Sequence, residues 1–328
     1  MGNETLVDIL VTTYNTNIEF LKKQIESIIN QSYKNLKIYI SDDASNQKEV
    51  IECIEDYAKK DNRIIFIKQI KNLGYNGNFE FLLNQSTADY IMFSDHDDIW
   101  YSNKVEQSLE KIQKSNCDMV YVNAKQINKD GQVIKQDYFK YKNMPLINGK
   151  DKLAISRCIG IGCSQIITKK VKDKMIPFMD KVIAHDWLAA FIANELNGIT
   201  YIDNKLFEYR LHETNVFGGR NFSQNLKRWK KDNGNTFKSF LEYRKDAINR
   251  AYLGGAEMCK EYSINDENKK FINELIKYYE CIKKTKIINI KIYKYFKFLY
   301  GRNLFKKMVK EIILFHFPIF SYIIFKIG

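Results

Sequence analysis

A chain of 328 residues with 45% hydrophobic and 28% charged side chains can bury a sizeable core and is too apolar to be disordered. The formal charge of +13 is confined to one part: residues 221–328 hold 23 of the 52 Lys and Arg against 10 of the 39 Asp and Glu, and the first 220 carry 29 of each sign. Six scattered cysteines without a CxxC pair speak against a zinc site and suit a reducing compartment, and no apolar run reaches the roughly 20 residues of a membrane span. The polar opening reads as no cleavable signal, so a cytoplasmic protein is expected.

The first half alternates buried-strand and amphipathic-helix signals. Residues 6–11 (LVDILV) read as a strand ending in the polar loop 12–17. Apolar residues then recur at helical spacing through Phe20, Leu21, Ile25, Ile28 and Ile29. A strand at 36–40 ends at Ser41-Asp42-Asp43. A helix at 48–60, a strand at 64–68, a helix at 78–85 and a strand at 90–93 follow, the last ending at Ser94-Asp95-His96-Asp97-Asp98. This βαβαβ order predicts an α/β fold, with a largely parallel sheet covered by helices. Further strands are expected at 119–122 and 162–167, then a helix at 187–196 stopped by Asn197-Gly198, then two short strands at 199–202 and 206–211. Beyond Gly218-Gly219 turn signals thin out while Lys, Tyr and helical periodicity dominate. That sets a domain boundary near 220, between a first domain (1–220) and a basic, mostly helical C-terminal region (221–328).

Open parallel sheets bind ligands at the carboxyl ends of their strands. Here those ends are polar or acidic: Thr12-Thr13-Tyr14, Asp42-Asp43, and Asp95 through Asp98. No GxGxxG follows the first strand and no GxxxxGK[ST] occurs. Carboxylates in such positions repel phosphate unless a divalent cation, Mn²⁺ or Mg²⁺, lies between them. Asp95-His96-Asp97 has the D-x-D form that a hard cation shares with substrate phosphates, and equally the form of a solvated acidic turn. Asp42-Asp43 can accept hydrogen bonds from a nucleobase or ribose, and can also cap the following helix. Asn72-Leu73-Gly74 is a turn, and a ligand loop only by association. Asp186 reads either as a carboxylate held by a helix dipole or as a general base. His185 and His212 stand open between structural and site roles.

As an ordered set, VDILVTTYN (7–15), SDDAS (41–45), NLGYNGNF (72–79), FSDHDDIW (93–100), HDW (185–187) and YRLHETNV (209–216) resemble family 2 glycosyltransferases. Within them the rhamnosyltransferase-like subgroup is the most similar, over about residues 5–220. The resemblance implies a GT-A fold and an inverting transfer of a sugar from a nucleotide diphosphate donor. It favours dTDP-rhamnose, with UDP sugars as competitors, and as acceptor a hydroxyl of a cell-surface polysaccharide or lipid-linked glycan. It further implies that Thr12, Tyr14, Asp42 and Asp43, with Asn72 and Gly74, line the donor pocket. Asp95 and Asp97 would form the metal motif, Asp97 being the direct ligand, with Asp186 the base and His212 a metal or diphosphate contact. His96 stands where the subgroup often has Gln.

Residues 221–328 match no motif of that family. Basic segments interleaved with Tyr and Phe also occur in nucleic-acid-binding proteins, but no recognised motif of that kind is present, so no nucleic-acid partner is expected. Residues 283–297 alternate Lys with Ile, Tyr and Phe as an interfacial helix does, and 312–327 are apolar. The expectation is peripheral contact with the inner face of the cell membrane through 281–328. Two rival readings are a non-catalytic nucleotide-sugar or carbohydrate-binding module and a nucleotidyltransferase. The second lacks its basic phosphate loop, since residues 11–17 contain no Lys or Arg.

Overall fold

The computed structural model describes residues 5–178, 182–212, 231, 232, 234 and 236–284. They belong to two compact units. One comprises Met1–Asp151 and Cys158–Leu211, the other Lys152–Arg157 and His212–Gly328.

The first unit begins β1 (Val7–Thr13), α1 (Ile18–Ile29), β2 (Leu36–Asp42), α2 (Lys48–Lys60), β3 (Ile64–Lys68), α3 (Gly74–Gln85) and β4 (Tyr90–Ser94). It continues β5 (Ile99–Trp100), α4 (Lys104–Ser115), β6 (Met119–Ile127), β7 (Val133–Lys135) and α5 (Tyr138–Lys142). After α6 (Leu153–Ser156), which belongs to the second unit, come β8 (Gln165–Thr168), α7 (Lys169–Met175), α8 (His185–Glu195) and β9 (Ile199–Arg210). The strands form one mixed sheet in the order β3-β2-β1-β4-β8-β6-β9-β5, with β7 paired to β6. The long ladders among β3, β2, β1 and β4, and between β6 and β9, are parallel, while β8 runs antiparallel to both its neighbours. This is the α/β architecture expected.

Continuous apolar runs build the parallel half. Every residue of β1 is buried, which requires cover on both faces of the sheet. The one charge within β1, Asp8, is fully buried and accepts hydrogen bonds from Ser86 Oγ (2.8 Å), Thr87 N (2.9 Å) and Ala88 N (3.0 Å), so it clamps the α3–β4 connection. Asn17 caps α1 by accepting from Glu19 N and Phe20 N, and Leu21, Ile25 and Ile28 turn its apolar stripe inward. The chain leaves β1 toward β2 and β3, then returns on the other side as β4. A cleft therefore opens at the carboxyl ends of β1 and β4.

Several limits shift by one or two residues, and four differences from the sequence reading have a cause in the packing or the local geometry. α3 starts at Gly74 instead of 78, because its first amides are capped from a distant strand (below) and not by a local signal. β6 runs on through polar residues to Ile127, since Asn123 finds partners in Asp137 and Asp203. The strand expected at 162–167 is a 3₁₀ turn, Gly162–Ser164, followed by β8. The two strands expected at 199–202 and 206–211 are one, β9, which absorbs its polar middle as register shifts opposite Asn123 and Lys125.

The second unit holds α6, α9 (Phe237–Ile248), a π-helical turn (Asn249–Leu253), α10 (Gly254–Tyr262) and α11 (Asp266–Lys283). Phe240, Tyr243, Met258, Phe271, Leu275 and Tyr279 supply its core. Lys152 pairs with Glu267 (2.7 Å) and lies over the Phe271 ring. The boundary near 220, the stretch 312–327 and most of 281–328 fall outside the described residues. Among the described residues no helix is long and apolar enough to cross a membrane.

Candidate active site

Register brings the strand tips together: Thr13 pairs with Asp42 and Val11 with Ser94. At the β2 tip the two carboxylates are held by the protein itself. Asp42, fully buried, accepts from Thr13 Oγ1 (2.9 Å), Ser45 N (2.8 Å) and Ser45 Oγ (2.6 Å). Asp43 reaches across to α3, where Oδ1 accepts from Leu73 N (2.7 Å) and Oδ2 from Gly74 N (3.0 Å). Asn72 closes the same loop by donating to the Asp43 carbonyl (3.1 Å) and accepting from Gly74 N (3.0 Å). Gly74 takes φ +74°, a left-handed conformation that favours glycine. Thr12 is buried, its carbonyl 3.2 Å from His96 Nδ1, and Tyr14 is exposed beside it.

The β4 tip is different. Asp97 and Asp98 are buried and Asp95 half-buried. One donor atom each from Asp95, Asp98 and Cys163 lies within 4.8 Å of the others. Burial, then the charges of Asp97, Asp98 and Asp186, push the Asp95 carboxyl well above its ordinary range. Burial and Asp97 push Asp98 up to about 7. Two buried cations back the cluster. Arg210 donates its backbone N–H to Asp98 Oδ1 (3.0 Å), Nε to the Asp97 carbonyl (2.8 Å), and Nη1 to the carbonyls of Asn128 (3.2 Å) and Lys129 (3.3 Å). Lys104, on the buried face of α4, donates to the Cys163 carbonyl (2.6 Å) and stands 3.3 Å from the Trp100 ring centroid. Burial lowers its pKa to about 7. Burial likewise raises the Cys163 thiol, which stays protonated and donates to Asp98. Carboxylate oxygens suit a hard cation such as Mn²⁺ or Mg²⁺, and a protonated thiol does not, so Asp95, Asp97 and Asp98 are the residues fit to hold one.

Facing this cluster, α8 opens with His185 and Asp186. Asp186 Oδ2 accepts from Gly162 N (3.1 Å) and Oδ1 from Trp187 N (2.8 Å), while Gln165 Nε2 holds its carbonyl (3.0 Å). Burial raises its pKa against those N–H groups and the Cys158 thiol. His185 is fully buried, and neither ring nitrogen has a hydrogen-bond partner. The ring stacks on Phe79 (centroids 3.9 Å) and meets Phe93 edge-on (4.7 Å), and burial lowers its pKa to about 3. Gly162 lets the ring in: a Cβ there would sit 2.8 Å from His185 Nε2. Tyr75 senses both halves of the site, its hydroxyl pushed far up by burial and then by Asp186 and Asp95. Tyr138 and Tyr209, in T-shaped contact at 5.6 Å, are raised by burial, and both also feel Cys163 and Asp98.

The structure thus brings Thr12, Asp42, Asp43, Asn72 and Gly74 together at the β1 and β2 tips, and Asp95, Asp97 and Asp186 together at the β4 tip. His212 lies beyond β9 and belongs to the second unit. Sequence reasoning missed Lys104, Cys163, Arg210, Gly162 and Tyr75. Tyr75 and Arg210 were within reach, since both stand inside the motifs NLGYNGNF and YRLHETNV.

Acidic groups at the switch point of a mostly parallel sheet, beside the half-buried carboxylate that opens α8, mark a candidate transferase site. The profile of the family Glycosyl transferase family 2 matches residues 8–175, just over half of the chain, and the chain belongs to that family. It is similar to the dTDP-rhamnosyl transferase RfbG of Shigella flexneri, at 27% identity over 63% of this chain and 73% of that protein. It is similar also to the Escherichia coli UDP-Glc:alpha-D-GlcNAc-diphosphoundecaprenol beta-1,3-glucosyltransferase WfgD, at 24% identity over 69% and 85%. In fold it matches the mannosyltransferase PcManGT from Pyrobaculum calidifontis, solved with GDP-Man and Mn²⁺, with a TM-score of 0.55, 12% identity, and coverage of 83% of this chain and 69% of that one. The chain is a glycosyltransferase of the GT-A type.

Proposed function

We propose that this enzyme transfers a sugar, with rhamnose from dTDP-rhamnose favoured, to a hydroxyl of a growing cell-surface polysaccharide or lipid-linked glycan, inverting the anomeric configuration. The observation that carries the reading is the proximity of Asp186 to the Asp95–Asp98 cluster, close enough that its charge raises the Asp95 carboxyl. Likeness to RfbG supports rhamnose. Likeness to WfgD supports a UDP-sugar donor of the same fold as the second reading, and a lipid-diphosphate-linked acceptor with either.

Thr12, Tyr14 and the loop fixed by Asp42, Asp43, Asn72 and Gly74 bind the nucleoside. Asp95 and Asp97 would hold a divalent cation, Mn²⁺ or Mg²⁺, which when bound would neutralise the departing diphosphate. Asp186 takes the proton of the acceptor hydroxyl as that oxygen attacks the anomeric carbon from the face opposite the leaving group. Burial raises its proton affinity, and the Gly162 and Trp187 amides fix its direction. The chain works in the cytoplasm, at the inner face of the membrane, with 281–328 as one contact.

Nucleotide sugars offered with Mn²⁺ and with a chelator test this directly. One donor is expected to stabilise the protein only with metal and to release nucleoside diphosphate slowly. In Asp186→Asn, transfer falls on the order of a thousandfold or more while the donor-induced stabilisation persists. Near-normal turnover of that variant removes Asp186 from the role of base.

A further inference from the structure

We propose that residues 128–146, comprising the β6–β7 turn, β7 and α5, form a docking surface for an anionic lipid bilayer. The inference rests on neither the transfer reaction nor residues 281–328.

Large exposed apolar or tyrosine side chains are few among the described residues, and half of the eight, Val133, Ile134, Tyr141 and Leu146, fall in this segment at 37–44% exposure. All three residues of β7 face water, including its Val-Ile pair, so this edge strand serves no core. Cations are interleaved with them: Lys129, Lys135 and Lys140 are exposed and Lys142 half-exposed. Lys135 Nζ and Lys142 Nζ stand 4.9 and 5.3 Å from the Tyr141 ring centroid, which joins strand and helix into one patch. Negative charge is largely withdrawn. Asp137 accepts from Lys140 N (2.9 Å) and Asn123 (3.0 Å) and pairs with Lys205 (2.9 Å), which leaves Asp130 as the exposed acid of the segment.

The surface is held rigidly. Asn128 Oδ1 accepts from Asp130 N (3.0 Å) and Gln132 N (2.9 Å), Gly131 turns the chain at φ +84°, and Arg210 Nη1 holds the Asn128 and Lys129 carbonyls. Its chemistry separates the candidate occupants. Interfaces between proteins are depleted of Lys. Aliphatic tips and a tyrosine ringed by long lysine stems instead match a bilayer boundary, where ammonium groups stay with anionic headgroups and the stems and rings lie lower. Arg210 also bonds the Asp97 carbonyl and Asp98, so the surface stands one side chain from the acidic cluster. Delivery of a lipid-linked acceptor at that edge is a consequence that, unlike the docking itself, depends on the proposed reaction.

The test uses the full chain and phosphatidylcholine vesicles with and without phosphatidylglycerol. An Ile134→Trp reporter is expected to shift to the blue with the anionic vesicles, and to be quenched by brominated lipid beyond the quenching of the unsubstituted chain. Quenching equal to that of the unsubstituted chain overturns the proposal. Replacing Val133, Ile134 and Tyr141 with Glu, all at exposed positions, is expected to lower vesicle partitioning about tenfold, and unchanged partitioning overturns it as well. A blue shift without vesicles that tracks a monomer–dimer equilibrium in sedimentation reassigns the surface to a second copy of the chain, and the proposal then fails.

Discussion

The two acidic tips of the cleft solve the problem of a buried carboxylate in opposite ways. At β2, each oxygen of Asp42 and Asp43 meets backbone or hydroxyl donors from Thr13, Ser45, Leu73 and Gly74. Those charges are satisfied within the chain, and Asp43 fixes the loop that opens α3. At β4, Asp95 and Asp98 lie beside Asp97 and are backed by the Arg210 amide, the Cys163 thiol and Lys104, and burial with the neighbouring carboxylates raises the proton affinities of Asp95 and Asp98. The hydrogen bonds of the first pair serve as scaffolding for the loop. The second is under electrostatic strain that a cation would relieve. Charge density at a strand tip therefore does not reveal by itself which carboxylates are scaffolding; their hydrogen bonds and the like charges beside them separate the two tips.

The contrast is broken most severely by neutral substitutions at the two tips. Asp95→Asn is expected to cost on the order of a hundredfold or more in transfer rate. It should also leave the metal-free protein as stable as before or more so, because a buried like charge is gone. Thermal melts in chelator beside turnover assays read both. A loss of stability would place Asp95 with the scaffolding carboxylates. Asp42→Ala is the converse. It orphans Thr13 Oγ1 and two donors of Ser45, and about 3 kcal/mol of stability should go with them in denaturant titration. A fall in activity without a fall in stability would move Asp42 to the ligand.

A third change acts between the tips. Gly162 presents its N–H to Asp186 and leaves room for His185, whose ring is wedged against Phe79 and Phe93. The Cβ of Gly162→Ala would meet His185 Nε2 at 2.8 Å, so either the ring or the turn must shift. Turnover is expected to fall ten- to a hundredfold with the donor KM unchanged, since displacing a reacting group by less than an ångström is enough. If donor KM moves and turnover does not, Gly162 serves the donor side.

How much of this was legible in the sequence depended on how far away the deciding partner lay. β3 and α2 matched their expected limits because apolar runs and helical periodicity are local signals. The positions of the acidic tips followed from strand order alone. The start of α3 did not, because its cap, Asp43, lies some thirty residues upstream. Lys104 was unreadable for a related reason. A lysine beginning an amphipathic helix is ordinarily solvated, and only the Trp100 and Phe207 rings with the Cys163 carbonyl make its burial tolerable. Asp98 was visible as part of an acidic run, but its bond to Arg210 N joins residues 112 apart.

The smallest effect expected, and the one that sharpens the comparison furthest, is a pH dependence confined to the β4 tip. Asp98 in the folded chain holds its proton to about pH 7, above its ordinary value of 3.8. A raised folded pKa means that the folded state binds more protons. Its contribution is therefore present below the unfolded pKa and is lost as pH rises toward 7, so the metal-free protein loses stability between about pH 4 and 7. Lys104 carries the opposite sign, since its folded pKa falls from 10.5 to about 7. From about pH 7 to 10 the unfolded chain binds the extra proton, and stability recovers with rising pH. A divalent cation competes with the carboxyl proton and not with the lysine, so the difference in Tm between Mn²⁺ and chelator should grow from pH 6 to pH 8, by about 2–4 °C. The Asp42→Asn chain should show the same growth from a lower baseline, and the Asp95→Asn chain little of it. A metal-induced shift that is flat across this range would mean that the β4 carboxyls are already ionised without a cation, and the distinction between the two tips would collapse.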